Sequence, residues 1–123
     1  MTNHINVSVK TTYVAAQSQP GAQRFVYAYT ITINNNGDLP AQLLSRHWII
    51  RDEQERTQEV IGEGVVGEQP YLVPGQSYTY TSGVVLETET GIMQGTYQMR
   101  ADDGTLFDAV IPAFALVPPH AVH

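Results

Sequence analysis

The stretch RFVYAYTITIN, residues 24–34, places an apolar side chain at every second position. Successive side chains of an extended chain point to opposite faces, so Phe25, Tyr27, Tyr29, Ile31 and Ile33 would share one face of a strand. An amphipathic helix would instead repeat its apolar positions every three to four residues. The β-branched and aromatic side chains of this stretch are also typical of half-buried strands. We therefore predict a β-strand with one face in the core.

The same two-residue period continues along the rest of the chain. Further strands are predicted in HINVSVKTTYVA, AQLLSRHWIIR, the residues around QEVIG, SYTYTSGVVL, MQGTYQMRA and TLFDAVIPAFALV. Turn signals such as Asn36-Gly37 and Pro74-Gly75 separate them. The polar run RDEQERTQE is either a solvated hairpin end or a single helical turn. We predict an all-β fold in which residues 1–123 form a single domain, an antiparallel immunoglobulin- or fibronectin type III-like β-sandwich of seven or eight strands.

Two details favour this class of sandwich. Trp48 lies in the middle of the third strand, where such folds place a large core residue. The segment MQGTYQM, residues 93–99, has the Gly-x-Tyr-x-apolar pattern of a tyrosine corner. That pattern predicts that the Tyr97 ring joins the core and that its hydroxyl bonds a nearby backbone group.

Strand alternation also predicts apolar residues outside the core. If Trp48 faces inward, His47 and Ile49 face outward, and we expect Leu43 on their face and His47 to be partly buried and hydrogen-bonded. The last strand is apolar on both faces, and Pro112 confines it to an edge or a bulge. Such an edge would allow a homodimer. One face of this strand would carry Leu106, Val110, Phe114 and Leu116, and the other Phe107, Ile111 and Val117.

Composition limits the classes of partner. The chain has 123 residues, no cysteine and a formal net charge of −6 with six Lys and Arg residues. Nucleic acids and anionic membranes are bound through clustered Lys and Arg, so neither is an expected partner. The absence of cysteine is compatible with the reducing cytosol, and the first ten residues resemble no secretory signal. We expect a soluble, cytoplasmic protein.

The segment GEGVVGEQPYLVPG, residues 62–75, begins with the spacing of a dinucleotide-binding loop. That loop must open a helix, whose N-terminus then binds the pyrophosphate. Pro70 and Pro74 prevent a helix here, and Glu63 and Glu68 would repel phosphate. We interpret the glycines as residues that permit bulges or positive φ angles. Val65 and Val66 then stand out as apolar residues that we expect to be exposed in a loop, and such loops often carry recognition.

No catalytic or metal-binding set is recognisable. Ser82 lacks the elbow motif of serine hydrolases, and the Asp102-Asp103-Gly104 segment is typical of a hairpin turn rather than of a calcium loop. His120 and His123 form an H-x-x-H pair that could bind a transition metal weakly, although a frayed tail is the simpler interpretation. We predict no catalytic residue, no metal ligand and no cofactor.

Several long segments resemble the ApaG family, also called CorD. They include LLSRHWIIRD, EVIGEGVVGEQPYLVPGQSYTYTSG and MQGTYQMRADDGTLFDAVIPAFAL, in the same order. The resemblance implies a fibronectin type III-like sandwich, a genetic link to cobalt resistance and magnesium efflux, and a protein-interaction role in eukaryotic relatives. It implies no catalytic residue. Val84-Val85-Leu86 stands where many members have Cys-Pro-Leu, so a metal role for that cysteine does not transfer.

The leading hypothesis is a non-enzymatic module that binds a protein partner whose identity the sequence does not give. The alternative is a sensor that binds a divalent cation or a small phosphorylated ligand, and it rests mainly on the family's genetic link. The expected recognition surface is the glycine-rich loop supported by the third strand. Its residues would be Arg46, His47, Trp48, Gly62, Glu63, Gly64, Val65, Val66, Gly67, Glu68 and Pro70.

Overall fold

Residues 4–119, which the computed structural model describes, form two antiparallel β-sheets packed face to face. One sheet has the order β1-β2-β6, and the other has the order β4-β3-β7-β8 with β5 added beside β3. The strands are β1 (Ile5–Tyr13), β2 (Phe25–Asn35), β3 (Ala41–Asp52), β4 (Thr57–Glu63), β5 (Tyr71–Leu72), β6 (Ser77–Leu86), β7 (Gly91–Ala101) and β8 (Leu106–Leu116). The predicted all-β, fibronectin-like sandwich is therefore confirmed.

The core lies between the sheets and contains the face predicted for β2. Tyr27, Ile31 and Ile33 are fully buried and Tyr29 nearly so. Trp48 of β3 is 2% exposed, and its ring contacts the ring of Tyr29 edge-on at a centroid distance of 5.4 Å. Aromatic pairs favour this arrangement because the positive ring edge meets the negative ring face. The central position predicted for Trp48 is confirmed.

A β-bulge in β3 changes which residues face the core. The pairing with β7 skips one residue between Leu43 and Ser45, which leaves Leu44 unpaired. An extra residue shifts the alternation, so Leu43 is fully buried while Ile49 faces the outer side of the sheet. The expectation that Leu43 and Ile49 share an outer face is wrong for this reason.

A second irregularity changes the faces of β8. The pairing of β7 with β8 is regular up to Met93 and Phe114 and resumes at Gly95 and Ile111. Pro112, which cannot donate to a ladder, lies within this shift, and β8 is the last strand of its sheet. The predicted edge and bulge are confirmed. The predicted faces are wrong, because Ile111 and Leu116 are both buried whereas residues Leu106 and Val110 are 70% and 65% exposed.

Three short elements have no counterpart in the prediction. They are β5 and two single-turn 3₁₀ helices, Ala15–Gln17 and Pro20–Ala22. Two or three residues are too few to show a period, so pattern analysis cannot detect them. The polar run after β3 is a hairpin end, in which Asp52 accepts hydrogen bonds from the backbone of Gln54 and Arg56.

The two long sides of the sandwich differ. On one side the edge strands β1 and β8 lie close together. On the other side lie β4 and β6, each of which pairs with a single neighbouring strand among the described residues. The free edges of β4 and β6 are not joined to each other by a ladder. The sandwich is therefore closed along β1 and β8 and open along β4 and β6, and the open side positions the candidate site.

Candidate functional site at the open side of the sandwich

The glycine-rich loop after β4 is a tight hairpin turn. Val65 and Glu68 exchange two backbone hydrogen bonds of 2.8 and 2.9 Å. The two residues between them, Val66 and Gly67, have φ angles of 42° and 82°, as in a type I′ turn. Gly64 also has a positive φ, and a Cβ there would lie 2.3 Å from the Glu68 carbonyl oxygen. The glycine spacing thus serves chain geometry, and no helix follows to bind a phosphate.

The two valines of this loop have different environments. Val65 is fully buried and belongs to the core, because the left-handed conformation of Gly64 interrupts the alternation of β4. The expectation that Val65 is exposed is therefore wrong. Val66 is 56% exposed and holds a positive φ that β-branched residues rarely adopt. Such strained positions are enriched at functional sites, which keeps Val66 as a candidate contact.

Arg46 connects β3 to this loop. Its Nη1 donates to the carbonyl oxygens of Glu63 and Gly64 at 2.9 Å each. Its guanidinium lies against the backbone of Gly62, where a Cβ would be 2.8 Å from Nη1. Among residues 4–119, no carboxylate lies within 4.0 Å of this guanidinium. Arg46 is therefore a half-buried cation without a counter-ion in that part of the chain.

The space in front of Arg46 is a cleft of about 360 Å³ between the two sheets, which we call the open-side cleft. β3 and β4 form one wall, and β2 and β6 form the other. The cleft is lined by Tyr29, Arg46, Trp48, Ile50, Gln58, Val60, Ser82, Gly83, Val84, Val85 and Met93. Arg46 is the one charged residue of this lining, so the cleft combines aromatic, aliphatic and uncharged polar groups with a single cationic group.

A second cavity of about 400 Å³ continues the open-side cleft and shares Ile50, Gln58 and Val85 with it. Arg56 lines the part of this cavity away from the open-side cleft and bonds Asp52 and Glu87 at 2.8 Å each. Among residues 4–119, the cation at this end is therefore paired with two carboxylates, and the cation at the loop end is paired with none. The open-side cleft and this cavity together form a groove whose two ends differ in charge pairing.

A pair of buried tyrosines lies beyond Arg46. The hydroxyls of Tyr80 and Tyr97 are 2.5 Å apart, and burial raises the pKa of Tyr80 to about 12 and that of Tyr97 above its ordinary value. The nearby Arg46 charge acts in the opposite direction on both. The Tyr97 ring is in the core as predicted. Its hydroxyl bonds another hydroxyl rather than the backbone, so this part of the tyrosine-corner prediction is wrong.

The residues predicted from the third strand do not form one surface. Trp48 is buried in the core and Arg46 is half-buried, and both line the open-side cleft. His47 is on the outer face of the sheet, where its Nε2 and the Glu59 Oε2 are 2.5 Å apart. The prediction that His47 is partly buried and hydrogen-bonded is confirmed. His47 lies away from the open-side cleft because adjacent side chains of β3 face opposite sides of the sheet.

The remaining residues of the predicted surface lie around the hairpin. Glu63 and Glu68 are exposed, and the half-buried Pro70 accepts a backbone hydrogen bond from Leu43 at 2.9 Å. The cleft residues Gln58, Val60 and Ser82 were not predicted as contacts, since their common location depends on which strands are edges. A sequence signal for a sheet edge is weak when no proline or bulge marks it.

Two further results concern metal ions and membranes. Within residues 4–119, no group of three or more His, Asp or Glu side chains is placed to hold a metal ion. His120 and His123 lie outside the described residues. The same part of the chain contains no helix long and apolar enough to span a bilayer.

Comparison with known proteins gives a consistent result. The ApaG domain family profile matches residues 15–101. The chain is 60% identical to protein ApaG of Ectopseudomonas mendocina over 119 residues, which covers 97% of this chain and 94% of that protein. A crystal structure of a protein described as ApaA from Bordetella pertussis superimposes with a TM-score of 0.93 at 50% identity and covers 95% of both chains. A protein from Archaeoglobus fulgidus shares the fold at 10% identity. It superimposes with a TM-score of 0.57 and covers 93% of this chain and 97% of its own. The chain therefore belongs to the ApaG domain family.

Proposed function

We propose that this chain is a non-enzymatic binding module that takes an extended segment of a partner protein along the open side of its sandwich. The observation that carries the proposal is the pair of free strand edges, β4 and β6, on either side of a cleft lined by both apolar and polar groups. A free edge presents unpaired backbone N–H and C=O groups, and another chain can add to it as a strand. The cleft between the edges would receive the side chains of that segment.

The proposed surface differs from the one expected from sequence but includes part of it. Trp48 and Val65 support the site from inside the core, and the glycine-rich hairpin forms one end of the cleft. Val66, at the tip of this hairpin, is the exposed residue that would contact a partner there. The alternative function, a sensor for a divalent cation or a small phosphorylated ligand, has no support from a described side-chain cluster. The sensor function stays a prediction from the family resemblance. The cytoplasmic location stays a prediction from composition.

The experiment compares two neighbouring positions of β6. Ser82 lines the cleft, whereas Thr81 faces the outer side of the same sheet, where its hydroxyl is 2.8 Å from that of Thr30. Ser82→Tyr would fill the cleft, and Thr81→Tyr is the matched control with the same added side chain. Proteins captured from a native lysate by the wild-type chain and by the control should be lost with Ser82→Tyr. Equal capture by all three chains, each with native circular dichroism, would refute the proposed surface.

A further inference from the structure

We propose that the Arg46 guanidinium binds a carboxylate carried by an extended peptide segment in the open-side cleft. This inference rests on the binding function proposed above and names the chemical group that the site recognises. It starts from a cation that two backbone carbonyls hold through one nitrogen and whose hydrogen-bonding capacity is only partly used.

Arg46 has donors left over after its contacts with the protein. A guanidinium has five N–H donors, and Arg46 uses those of Nη1 on the carbonyls of Glu63 and Gly64. Its Nε and Nη2 donate to no acceptor among residues 4–119, yet no buried side-chain nitrogen or oxygen in that part of the chain lacks a partner. These two nitrogens must therefore be accessible, and the cleft is the space that Arg46 lines.

The available donors suit a carboxylate. Nε and Nη2 lie on one edge of the planar guanidinium, and two parallel hydrogen bonds from such an edge match the two oxygens of a carboxylate. A phosphate group with two negative charges is usually bound by several cations, whereas Arg46 is the one charged residue of the lining. The exposed Glu63 and Glu68 beside this end add negative charge, which disfavours a dianion more than a single carboxylate.

The shape of the site indicates that the carboxylate belongs to an extended peptide. The free edges of β4 and β6 run along the cleft, and their unpaired backbone groups match those of an extended chain. From Gln58 to Gly62 the wall formed by β4 is four residue steps long, or roughly 13 Å at the rise of a strand. A segment of about five residues would fit, with apolar side chains against Val60 and Val84 and one acidic side chain at Arg46.

A purely structural role would leave part of this arrangement unexplained. Holding the carbonyls of Glu63 and Gly64 requires one nitrogen of the side chain. The guanidinium is nevertheless kept flat against Gly62, where any Cβ would displace it. Placing the cation there fixes the direction of the unused edge, as recognition of a planar group requires.

The first experiment follows the side-chain Nε–H resonance of Arg46 by nitrogen-15 NMR. The sequence contains one lysine and five arginines, and Arg46→Lys identifies the signal by its loss. The probes are sodium propionate and sodium phosphate, with sodium chloride at equal ionic strength as the reference. Propionate should move the Arg46 signal in a saturable way and leave that of Arg56 unchanged. No shift with propionate, or a stronger saturable shift with phosphate, would overturn the assignment.

The second experiment uses synthetic seven-residue peptides of alternating threonine and valine whose central residue is glutamate, glutamine or phosphoserine. The glutamate peptide should bind about tenfold more tightly than the glutamine peptide, because a hydrogen bond to a charged group is stronger than a neutral one. Arg46→Gln should remove this preference and Arg56→Gln should keep it. Gly62→Ala, which retains the charge but displaces the guanidinium, should reduce it and serves if Arg46→Gln does not fold.

The outcomes separate the two proposals. Equal binding of the glutamate and glutamine peptides, or tighter binding of the phosphoserine peptide, refutes the carboxylate assignment and leaves the binding module intact. If the preference for glutamate survives Arg46→Gln in folded protein, the anchor is another residue and the inference fails. If propionate shifts Arg46 but Ser82→Tyr does not weaken the glutamate peptide, the carboxylate site stands and the proposed groove is wrong.

Discussion

The buried hydroxyl pair of Tyr80 and Tyr97 provides a sharp test of how this core is stabilised. The two hydroxyls are 2.5 Å apart, and each is the side-chain partner of the other. The perturbation is a double-mutant cycle in which each tyrosine, and then both, are replaced by phenylalanine. The ring volume stays almost constant, so the cycle reports on the hydroxyls and creates no cavity.

The expected magnitudes follow from what each replacement leaves behind. A single replacement removes one hydroxyl and leaves the other buried without a partner, which costs about 1–3 kcal/mol. Tyr97 is fully buried and Tyr80 is 7% exposed, so an orphaned Tyr80 hydroxyl reaches water more easily. Tyr80→Phe leaves the hydroxyl of the fully buried Tyr97 without its partner. It should therefore lower the free energy of unfolding more than Tyr97→Phe does. The double replacement removes both polar groups and should cost less than either single one, within about 1 kcal/mol of the wild type.

Urea unfolding followed by tryptophan fluorescence provides the assay. Trp48 is the only tryptophan of the chain, is 2% exposed and lies 6.5 Å from the Tyr97 ring centre. In thermal unfolding, 1 kcal/mol corresponds to roughly 4 °C for a chain of this size. Tyr71→Phe is the control, because Tyr71 is half-exposed and its hydroxyl bonds the surface residue Asp102, so its change should stay within about 0.5 kcal/mol. Additive costs in the cycle would refute the reasoning.

Three further predictions concern packing and pH. Gly95→Ala should destabilise the fold by several kcal/mol, because its Cβ would lie 2.1 Å from the His47 carbonyl oxygen. Gly62→Ala should destabilise it by less than about 1 kcal/mol, because its Cβ would meet the movable end of the Arg46 side chain. Equal free energies of unfolding for these two variants would contradict this prediction. Val65→Asp should lower the free energy of unfolding by about 3 kcal/mol or more, because it buries a carboxylate. Val66→Asn should raise it by about 1 kcal/mol, because asparagine relieves the strain at a positive φ. Denaturation midpoints measure both changes. Burial raises the pKa of Tyr27 and of Tyr80 to about 12. Because an unfolded tyrosine ionises near pH 10, the contribution of these two tyrosines to stability should be constant below about pH 10 and fall between about pH 10 and 12, as denaturation midpoints at rising pH would show.

The sequence predicted most of the fold because its signal is local. In β2 and β6 the pairing register has no shift, and the observed bounds of β6 are those of the predicted strand SYTYTSGVVL. Errors occur where an extra residue enters a strand. The bulge at Leu44 and the shift opposite Pro112 reverse the faces assigned to Leu43 and to part of β8. A bulge is fixed by pairing with a neighbouring strand, which a single strand's pattern does not contain.

The candidate site was harder to predict because its residues are joined by sheet order. Arg46 was expected in the recognition surface, but next to His47 and Trp48 as one strand segment. The structure places His47 on the other face of the sheet, and it brings Arg46 and Trp48 together with Val60 of β4 and Ser82 of β6. That grouping requires β4 and β6 to be edge strands on the same side of the sandwich. Edge position is a property of the assembled sheets, so no local pattern could have indicated the cleft.

The glycine-rich loop shows why spacing alone is a poor guide to ligand binding. Its three glycines meet separate requirements: Gly62 leaves room for the Arg46 guanidinium, and Gly64 and Gly67 adopt positive φ angles around a hairpin turn. A phosphate-binding loop needs glycines because its backbone N–H groups must reach a ligand. Here the N–H groups of Gly64, Val65 and Glu68 donate to carbonyl oxygens of the protein itself. The destination of those hydrogen bonds, and not the interval between glycines, decides what such a loop can bind. By the same criterion the group that we propose to bind a ligand is the unused edge of Arg46, and Gly62 leaves the space that its guanidinium occupies.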